Sequence, residues 1–243
     1  MSTLTGQQIG TQGTSVGWSN EPTGTAYKVN DKHLFVSDDD ADEIYEVRAG
    51  ADDVHGTPDD TLTHFDTRVT GNTDAEGVSV DLDVSNDGHI YVIDGLNNQV
   101  FDYFWGADKL FNGVPAAGGD DTVRSFDVGA LGAVDPEGIE FDQARNTILV
   151  LEHKTKRIYE VSRTGGLVNR ISVAAANAVN PAGLALAPAS NGSGAQNLYI
   201  VDRGLDNDSN PTENDGKFYE MSYTVPPLQG CLLYTSPSPR DRS

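Results

Sequence analysis

The stretch DPEGIEFD at residues 135–142 has a near copy, DAEGVSVD, at residues 74–81. In each copy a glutamate directly precedes a glycine, and the alternating apolar residues that follow are typical of a half-buried β-strand. Two looser copies, EPTGTAY and NPAGLAL, place the corresponding glycines at positions 24 and 183. The glycines at 24, 77, 138 and 183 are separated by 53, 61 and 45 residues, and this repetition is the main signal for the fold.

Further strand-like elements follow each glycine in a fixed order. The second element of each unit ends in an acid: HLFVSD at Asp38, IYVID at Asp94, ILVLE at Glu152 and LYIVD at Asp202. The third element starts at 43 in EIYEV, at 99 in QVFDY, at 157 in RIYEV and at 217 in KFYEM. DDTLTHFD and DDTVRSFD begin 15 residues before DAEG and DPEG, respectively. Four short strands per unit, repeated about every 40 to 60 residues, predict an all-β fold of the β-propeller type. A sandwich with Greek-key links is the alternative.

This pattern resembles the six-bladed propellers of the NHL, gluconolactonase-like and phytase-like groups. The resemblance spans roughly residues 21–223 and rests on the Asp/Asn-x-Glu/Ala-Gly strand start and the strand that ends in an acid. It implies a single propeller domain at residues 21–229, with blades starting near 21, 74, 135 and 180. Four units do not close a six-bladed ring, so we expect a truncated ring of about four blades. Residues 1–20 are then the end of a preceding blade or a flexible lead.

The C-terminal residues differ in composition from the rest of the chain. The run CLLYTSPSPRDRS at 231–243 resembles the translation of a transposase adaptor used in sequencing libraries. We therefore expect residues 230–243 to be a non-native tail. Cys231 lies in this run and is the only cysteine of the chain, which excludes a disulfide framework within the chain.

The charge of the chain limits the classes of partner. The 243 residues carry a formal net charge of −21, whereas nucleic-acid binders need a basic surface. The acidity favours cations as partners, or a saline or extracellular setting. No apolar run reaches the roughly 20 residues that a membrane-spanning helix needs. We expect an extracellular or cell-surface location, although no N-terminal signal is visible.

The repeated acids are expected to meet at one rim of the propeller channel. The start of the first strand and the end of the second lie on the same side of a blade, which places Glu76 near Asp94 and Glu137 near Glu152. Neighbouring strands lie about 4.8 Å apart. Two carboxylates at about 5 Å repel each other by roughly 3 kcal/mol at an effective dielectric constant of about 20. A shared divalent cation would offset this repulsion, and all-oxygen ligands favour calcium or magnesium.

The resemblance implies the same chemistry, because phytase-like propellers bind calcium on this face and gluconolactonase-like propellers bind a divalent metal. Glu76 and Glu137 correspond to the channel-facing glutamates of those groups. Asp38 and Asp202 occupy the equivalent rim positions of the outer units. For Asp38, Asp94 and Asp202 the alternative is that each acid caps the backbone N–H groups of the turn that follows it.

Two other sets of acids have separate interpretations. In the loop RGLDNDSNPTENDG at 203–216, Asp206 and Asp208 imitate the first half of a calcium loop, and a disordered acidic loop is the alternative. The third elements carry recurring acids that lie away from the channel, and we interpret them as solvated or as contacts between blades. These acids are Glu46, Asp102, Glu160 and Glu220.

The sequence supports three competing functions. The first is a calcium-binding recognition module of a larger secreted bacterial protein, with a small molecule or protein bound at the channel face. The alternative is a metal-dependent hydrolase, either a phytase-like phosphoesterase or a gluconolactonase-like lactonase. The third is a structural spacer. No HExxH, GxSxG or P-loop motif is present to favour an enzyme.

Overall fold

A computed structural model describes residues 18–81, 88–204 and 216–224 of the chain. The strands of the first sheet are β1 (Pro22–Lys28), β2 (His33–Asp38), β3 (Glu43–Arg48) and β4 (Thr61–Asp66). Those of the second are β5 (Ala75–Val80), β6 (His89–Asp94), β7 (Gln99–Phe104) and β8 (Thr122–Asp127). The third contains β9 (Pro136–Asp142), β10 (Thr147–Glu152), β11 (Arg157–Ser162) and β12 (Leu167–Ser172). The fourth contains β13 (Pro181–Pro188), β14 (Gln196–Asp202) and β15 (Lys217–Ser222).

Each sheet is an antiparallel meander in which the strands pair in chain order. The first strands β1, β5, β9 and β13 contact one another in succession and line a common channel. The fold is therefore a β-propeller with four blades among the described residues, as predicted from the repeats. The closure at six blades stays a prediction, as do the roles of residues 1–20 and 230–243, which lie largely outside the described residues.

Helical structure is almost absent from the part of the chain that is described. It is limited to four short 3-10 segments, at Thr67–Thr70, Pro115–Ala117, Gly129–Leu131 and Ala174–Ala176. None of the helices in these ranges is long and apolar enough to cross a bilayer.

The repeated glycine is explained by the close approach of neighbouring first strands. A Cβ atom at Gly77 would lie 2.8 Å from the backbone oxygen of Glu137, and one at Gly138 would lie 2.8 Å from that of Ala182. Real Cβ atoms do not approach backbone so closely, so any larger residue would push the first strands apart.

Apolar side chains fill the spaces between successive blades. Every residue of β6 and β10, the second strands of the two middle blades, is buried. The sequences of such strands are almost continuously apolar because both faces of the strand are covered. Three clusters result, one at each junction between neighbouring blades, centred on Phe35 and Ile90, on Ile93 and Val150, and on Leu149 and Ile200.

The sequence predicts that the acids of the third strands are solvated or form contacts between blades, and three of the four are not solvated. Glu46, Asp102 and Glu160 are completely buried, whereas Glu220 is exposed. Their charges are balanced within the protein: the guanidinium groups of Arg48, Arg124 and Arg145 donate hydrogen bonds to Glu46, Asp102 and Glu160, respectively, at 2.6–3.0 Å.

Glu46 also makes a contact between blades, as the sequence predicted for this class of acids. Its Oε2 accepts a hydrogen bond at 2.9 Å from the backbone N–H of Phe111, which lies in the long loop between β7 and β8. A buried carboxylate is tolerated when it is paired and hydrogen-bonded in this way.

The packing between the third and fourth blades can be tested at Leu149, which is fully buried between them. Replacement by alanine is expected to lower the free energy of unfolding by about 2–5 kcal/mol, because it removes buried contacts and leaves a cavity. Leu62→Ala is the control, since this side chain is 42% exposed and its loss should cost about 0.5 kcal/mol or less. Urea denaturation measures both. Equal losses in the two variants would contradict this packing.

Candidate functional site

One end of the channel opens into a cavity of about 470 Å³. The beginnings of the four first strands line it, and Glu76 and Glu137 are its acidic residues. Arg203, which follows the last strand-end acid, lies at the same mouth. The predicted convergence of Glu76 and Glu137 on one rim is therefore observed.

The strand register explains why these two glutamates project towards the mouth. In β5, Ala75 pairs with Asp94 and the next pair is Val78 with Val92, so two residues oppose one on β6. The same irregularity occurs at the start of β9, around Glu137. A β-bulge of this kind re-aims side chains, which is why bulges are common next to functional sites.

The four acids at the ends of the second strands have a different environment. Their carboxylates are buried and each accepts hydrogen bonds from at least two backbone N–H groups of the adjoining turns. These acids are Asp38, Asp94, Glu152 and Asp202. The hydrogen bonds account for their burial without a metal, in line with the capping alternative. Their predicted role as metal ligands stays a prediction.

The capping bonds are strong enough to outweigh burial in two of these acids. Burial acts to raise the pKa of Asp202, but the N–H groups of Val179 and Asn180 stabilise the charged form and hold this pKa below its usual value. Burial also acts to raise the pKa of Asp38, but the Ser19 side chain and, after it, backbone N–H groups of the adjoining turns hold this pKa below its usual value.

Two further carboxylates, those of Asp39 and Asp74, meet Glu76 at the mouth, and we call these three residues the acidic cluster. One oxygen from each lies within 4.8 Å of the others. Asp39 belongs to the turn after β2, so the cluster joins the first and second blades. A Cβ at Gly95 would lie 2.7 Å from the Oδ2 atom of Asp74 and 3.3 Å from the Cγ atom of Glu76, so the turn after β6 packs directly against these acids.

Sequence reasoning did not identify Asp39 as a site residue. It lies within the run SDDDAD at 37–42, where four acids follow one another with a single interruption. Asp39 differs from the other acids of this run only in the direction in which the turn after β2 points its side chain. Asp74 was visible in the DAEG motif, but nothing in the sequence indicated its contact with the preceding blade.

The carboxyl groups at the mouth hold their protons unusually tightly. Burial, followed by repulsion from Glu137, Asp39 and Asp74, raises the pKa of Glu76 to about 8. Burial and repulsion from Asp39 raise the pKa of Asp74 to about 6. Burial also raises the pKa of Glu137 to about 7, although Arg203 opposes this shift. Perturbed groups in a cavity are typical of functional sites.

A second group at the same mouth, which we call the mixed cluster, consists of Asp135, Glu137 and His153. Cations from the protein already neutralise it. Lys154 lies 3.1 Å from Asp135, and the Arg203 guanidinium donates to the Oε1 atom of Glu137 at 2.9 Å. The Oε2 atom of Glu137 is buried and has no hydrogen-bond partner.

In contrast, no Lys, Arg or His of the described ranges forms an ion pair with any carboxylate of the acidic cluster. The acidic cluster therefore has no direct ion pair among the described residues, and the charge of Arg203 acts on Glu76 only at longer range. Asp206 and Asp208 lie in residues 205–215, outside the described residues, and their role stays a prediction.

The comparisons with known proteins concern the fold alone. No family model and no curated protein matches the chain. A luciferin-regenerating enzyme is 15% identical, with a TM-score of 0.53 over 82% of this chain and 60% of that chain. A nidogen/laminin complex is 18% identical, with a TM-score of 0.49 over 75% of this chain and 57% of that chain. The β-propeller domain of Cps50 (Swd1) from Myceliophteria thermophila is 10% identical, with a TM-score of 0.47 over 84% and 58%. The chain thus spans 57–60% of the length of these structures.

The raised pKa of Glu76 predicts a pH effect on the metal-free protein. A folded-state pKa of about 8, above the ordinary 4.5, means that the folded state binds this proton more tightly than the unfolded state. The resulting stability is present at low pH and is lost as the pH rises from 4.5 towards 8. In EDTA, the Tm should therefore fall between about pH 5 and pH 8.

Differential scanning calorimetry of Glu76→Gln tests the assignment, because this variant should lose less Tm over the same pH interval than the unmodified chain. Asp53→Asn, in an exposed turn, is the control and should behave like the unmodified chain. Identical pH dependence in Glu76→Gln and the unmodified chain would show that Glu76 is not the responsible group.

Proposed function

We propose that this propeller is a calcium-binding recognition module and that the acidic cluster holds the ion. One observation carries the proposal: three carboxylates from two blades meet within 4.8 Å, and none of them forms an ion pair with a cation of the described residues. Burial and, after it, mutual repulsion raise the pKa of Asp74 and Glu76, and a divalent cation would offset the repulsion.

The donor set favours calcium over zinc or copper, because it consists of oxygen atoms alone. Calcium takes about 6–8 oxygen ligands in flexible geometry. The unpartnered, buried Oε2 of Glu137 is a further carboxylate oxygen in the same cavity. Water and a bound partner would supply the remaining ligands, and this incomplete set is what makes the mouth a recognition surface.

The net charge of −21 supports an extracellular or cell-surface setting for such a module, as part of a secreted bacterial protein. Acidic surfaces stay soluble in saline surroundings, and extracellular calcium modules work with dissociation constants of about 10⁻⁴ to 10⁻³ M.

The mixed cluster favours a second candidate, a metal-dependent phosphoesterase or lactonase. Burial holds the pKa of His153 below its usual value, so that its imidazole is neutral near pH 7. Its Nδ1 atom lies 3.2 Å from the Oε1 atom of Glu137. A neutral imidazole beside a metal-bound water would serve as a general base. Calcium-dependent turnover of p-nitrophenyl phosphate or a simple lactone, lost in His153→Gln, would favour this candidate over recognition alone.

Calcium binding can be measured by isothermal titration calorimetry on the full chain after removal of metal with EDTA. We expect a dissociation constant on the order of 10⁻⁴ M at pH 8. Asp39→Asn should weaken binding at least about tenfold, because it removes one of three charged ligands. Asp53→Asn is a matched control outside the cavity and should bind calcium normally. Absence of calcium binding, or unchanged affinity in Asp39→Asn, would contradict the proposed site.

A further inference from the structure

The other end of the channel contains a second, larger cavity, of about 660 Å³. The later halves of the first strands line it, together with the β9–β10 turn and the residues just after β15. This volume is in the range of small-molecule sites, about 300 to 1,000 Å³. Nothing in the calcium proposal uses this end of the channel.

The same position of each repeat unit contributes one residue to the wall of this second cavity. The residues two positions after the repeated glycines are Ala26, Ser79, Glu140 and Ala185, and all four line the cavity. Three of these side chains are small, so that they leave space unfilled. The fourth, Glu140, places a single carboxyl group in that space.

The carboxyl group of Glu140 has hydrogen-bond contacts with the neighbouring first strands but forms no ion pair within the described part of the chain. Its Oε2 atom lies 3.5 Å from the Ser79 hydroxyl, at the limit of a hydrogen bond. No Lys, Arg or His of the described ranges forms an ion pair with it. Burial raises its pKa to about 7, and Asp142 adds to this effect, although hydrogen bonds from the Leu186 backbone and Ser79 oppose it.

The other charged groups of the cavity, Asp142 and Arg145, already have hydrogen-bond partners within the protein. Asp142 is buried and accepts hydrogen bonds from the backbone of Ala144 and from the Tyr223 hydroxyl. Arg145 donates to the buried Glu160 at 2.6 Å. Neither Asp142 nor Glu140 forms an ion pair with a cation of the described residues, but Asp142 is held by the backbone N–H groups of Ala144 and Arg145 and by the Tyr223 hydroxyl, so Glu140 is the carboxyl group of the cavity with the weaker set of hydrogen bonds.

We propose that this second cavity binds a small organic ammonium ion, with Glu140 as its counter-ion. The ligand would supply the positive charge that the protein omits. Its body would occupy the space beside Ala26 and Ala185, with the rings of Tyr27 and Tyr223 at the wall. The net charge of −21 increases the local concentration of such a cation.

The test compares benzylammonium with its neutral analogue benzyl alcohol, by isothermal titration calorimetry on the full chain in EDTA at pH 8. Benzylammonium should bind at least about tenfold more tightly than benzyl alcohol, as expected for a charge-assisted hydrogen bond to a carboxylate. Glu140→Gln should weaken benzylammonium binding by a similar factor. Glu220→Gln, on the outer strand of the last blade, is the matched control and should bind like the unmodified chain.

Equal affinity for the two probes, or unchanged benzylammonium affinity in Glu140→Gln, would overturn the proposal. The comparison of the two probes needs no variant and tests whether the chain prefers the charged probe, and Glu140→Gln assigns that preference to this cavity. Because EDTA leaves the acidic cluster free to attract a cation, Asp39→Asn is measured alongside and should bind benzylammonium like the unmodified chain. Calcium binding that persists in Glu140→Gln would separate the two sites.

Discussion

The first strands of neighbouring blades approach so closely that only glycine fits between them, and the rest of the channel mouth depends on this contact. A side chain at Gly77 would meet backbone at 2.8 Å. The bulge beside each such glycine turns the preceding residue towards the channel. Where that residue is a glutamate, as at 76 and 137, packing alone directs a carboxylate into a shared, poorly solvated space. The opening motif of the sequence thus links backbone packing directly to charge placement.

The acids of this chain fall into two physical groups. In one, exemplified by Asp202 and Asp102, backbone N–H groups or arginine compensate the buried charge, and the acid contributes to the fold. In the other, exemplified by Glu76 and Glu140, burial is not compensated and the carboxyl group holds its proton near neutral pH. A protein keeps groups of the second kind at a cost in stability, which is why both ends of the channel are interpreted as binding sites.

Much of the architecture could be predicted from the sequence because the repeat fixes it locally. The glycines, the strand-end acids and their spacing indicated the blades, and the place of Glu76 at the start of a first strand made its position at the channel rim predictable. Asp39 could not be found in this way, because its contact with Asp74 crosses between blades and depends on the path of a turn. The burial of Glu46 was also invisible, since the loop that covers it, including Phe111, comes from 65 residues later. Glu140 looked like an ordinary polar residue of an alternating strand.

Both ends of the channel carry carboxyl groups on closely packed first strands, and at both ends we propose that a positively charged ligand binds them. At the acidic cluster this ligand is proposed to be calcium. The most direct measurement is an anomalous difference map from crystals of the full chain grown with calcium. The account predicts a peak at about 2.3–2.6 Å from oxygens of Asp39, Asp74 and Glu76. A map without a peak there, with these carboxyl groups hydrogen-bonded to one another as protonated acids, would contradict it.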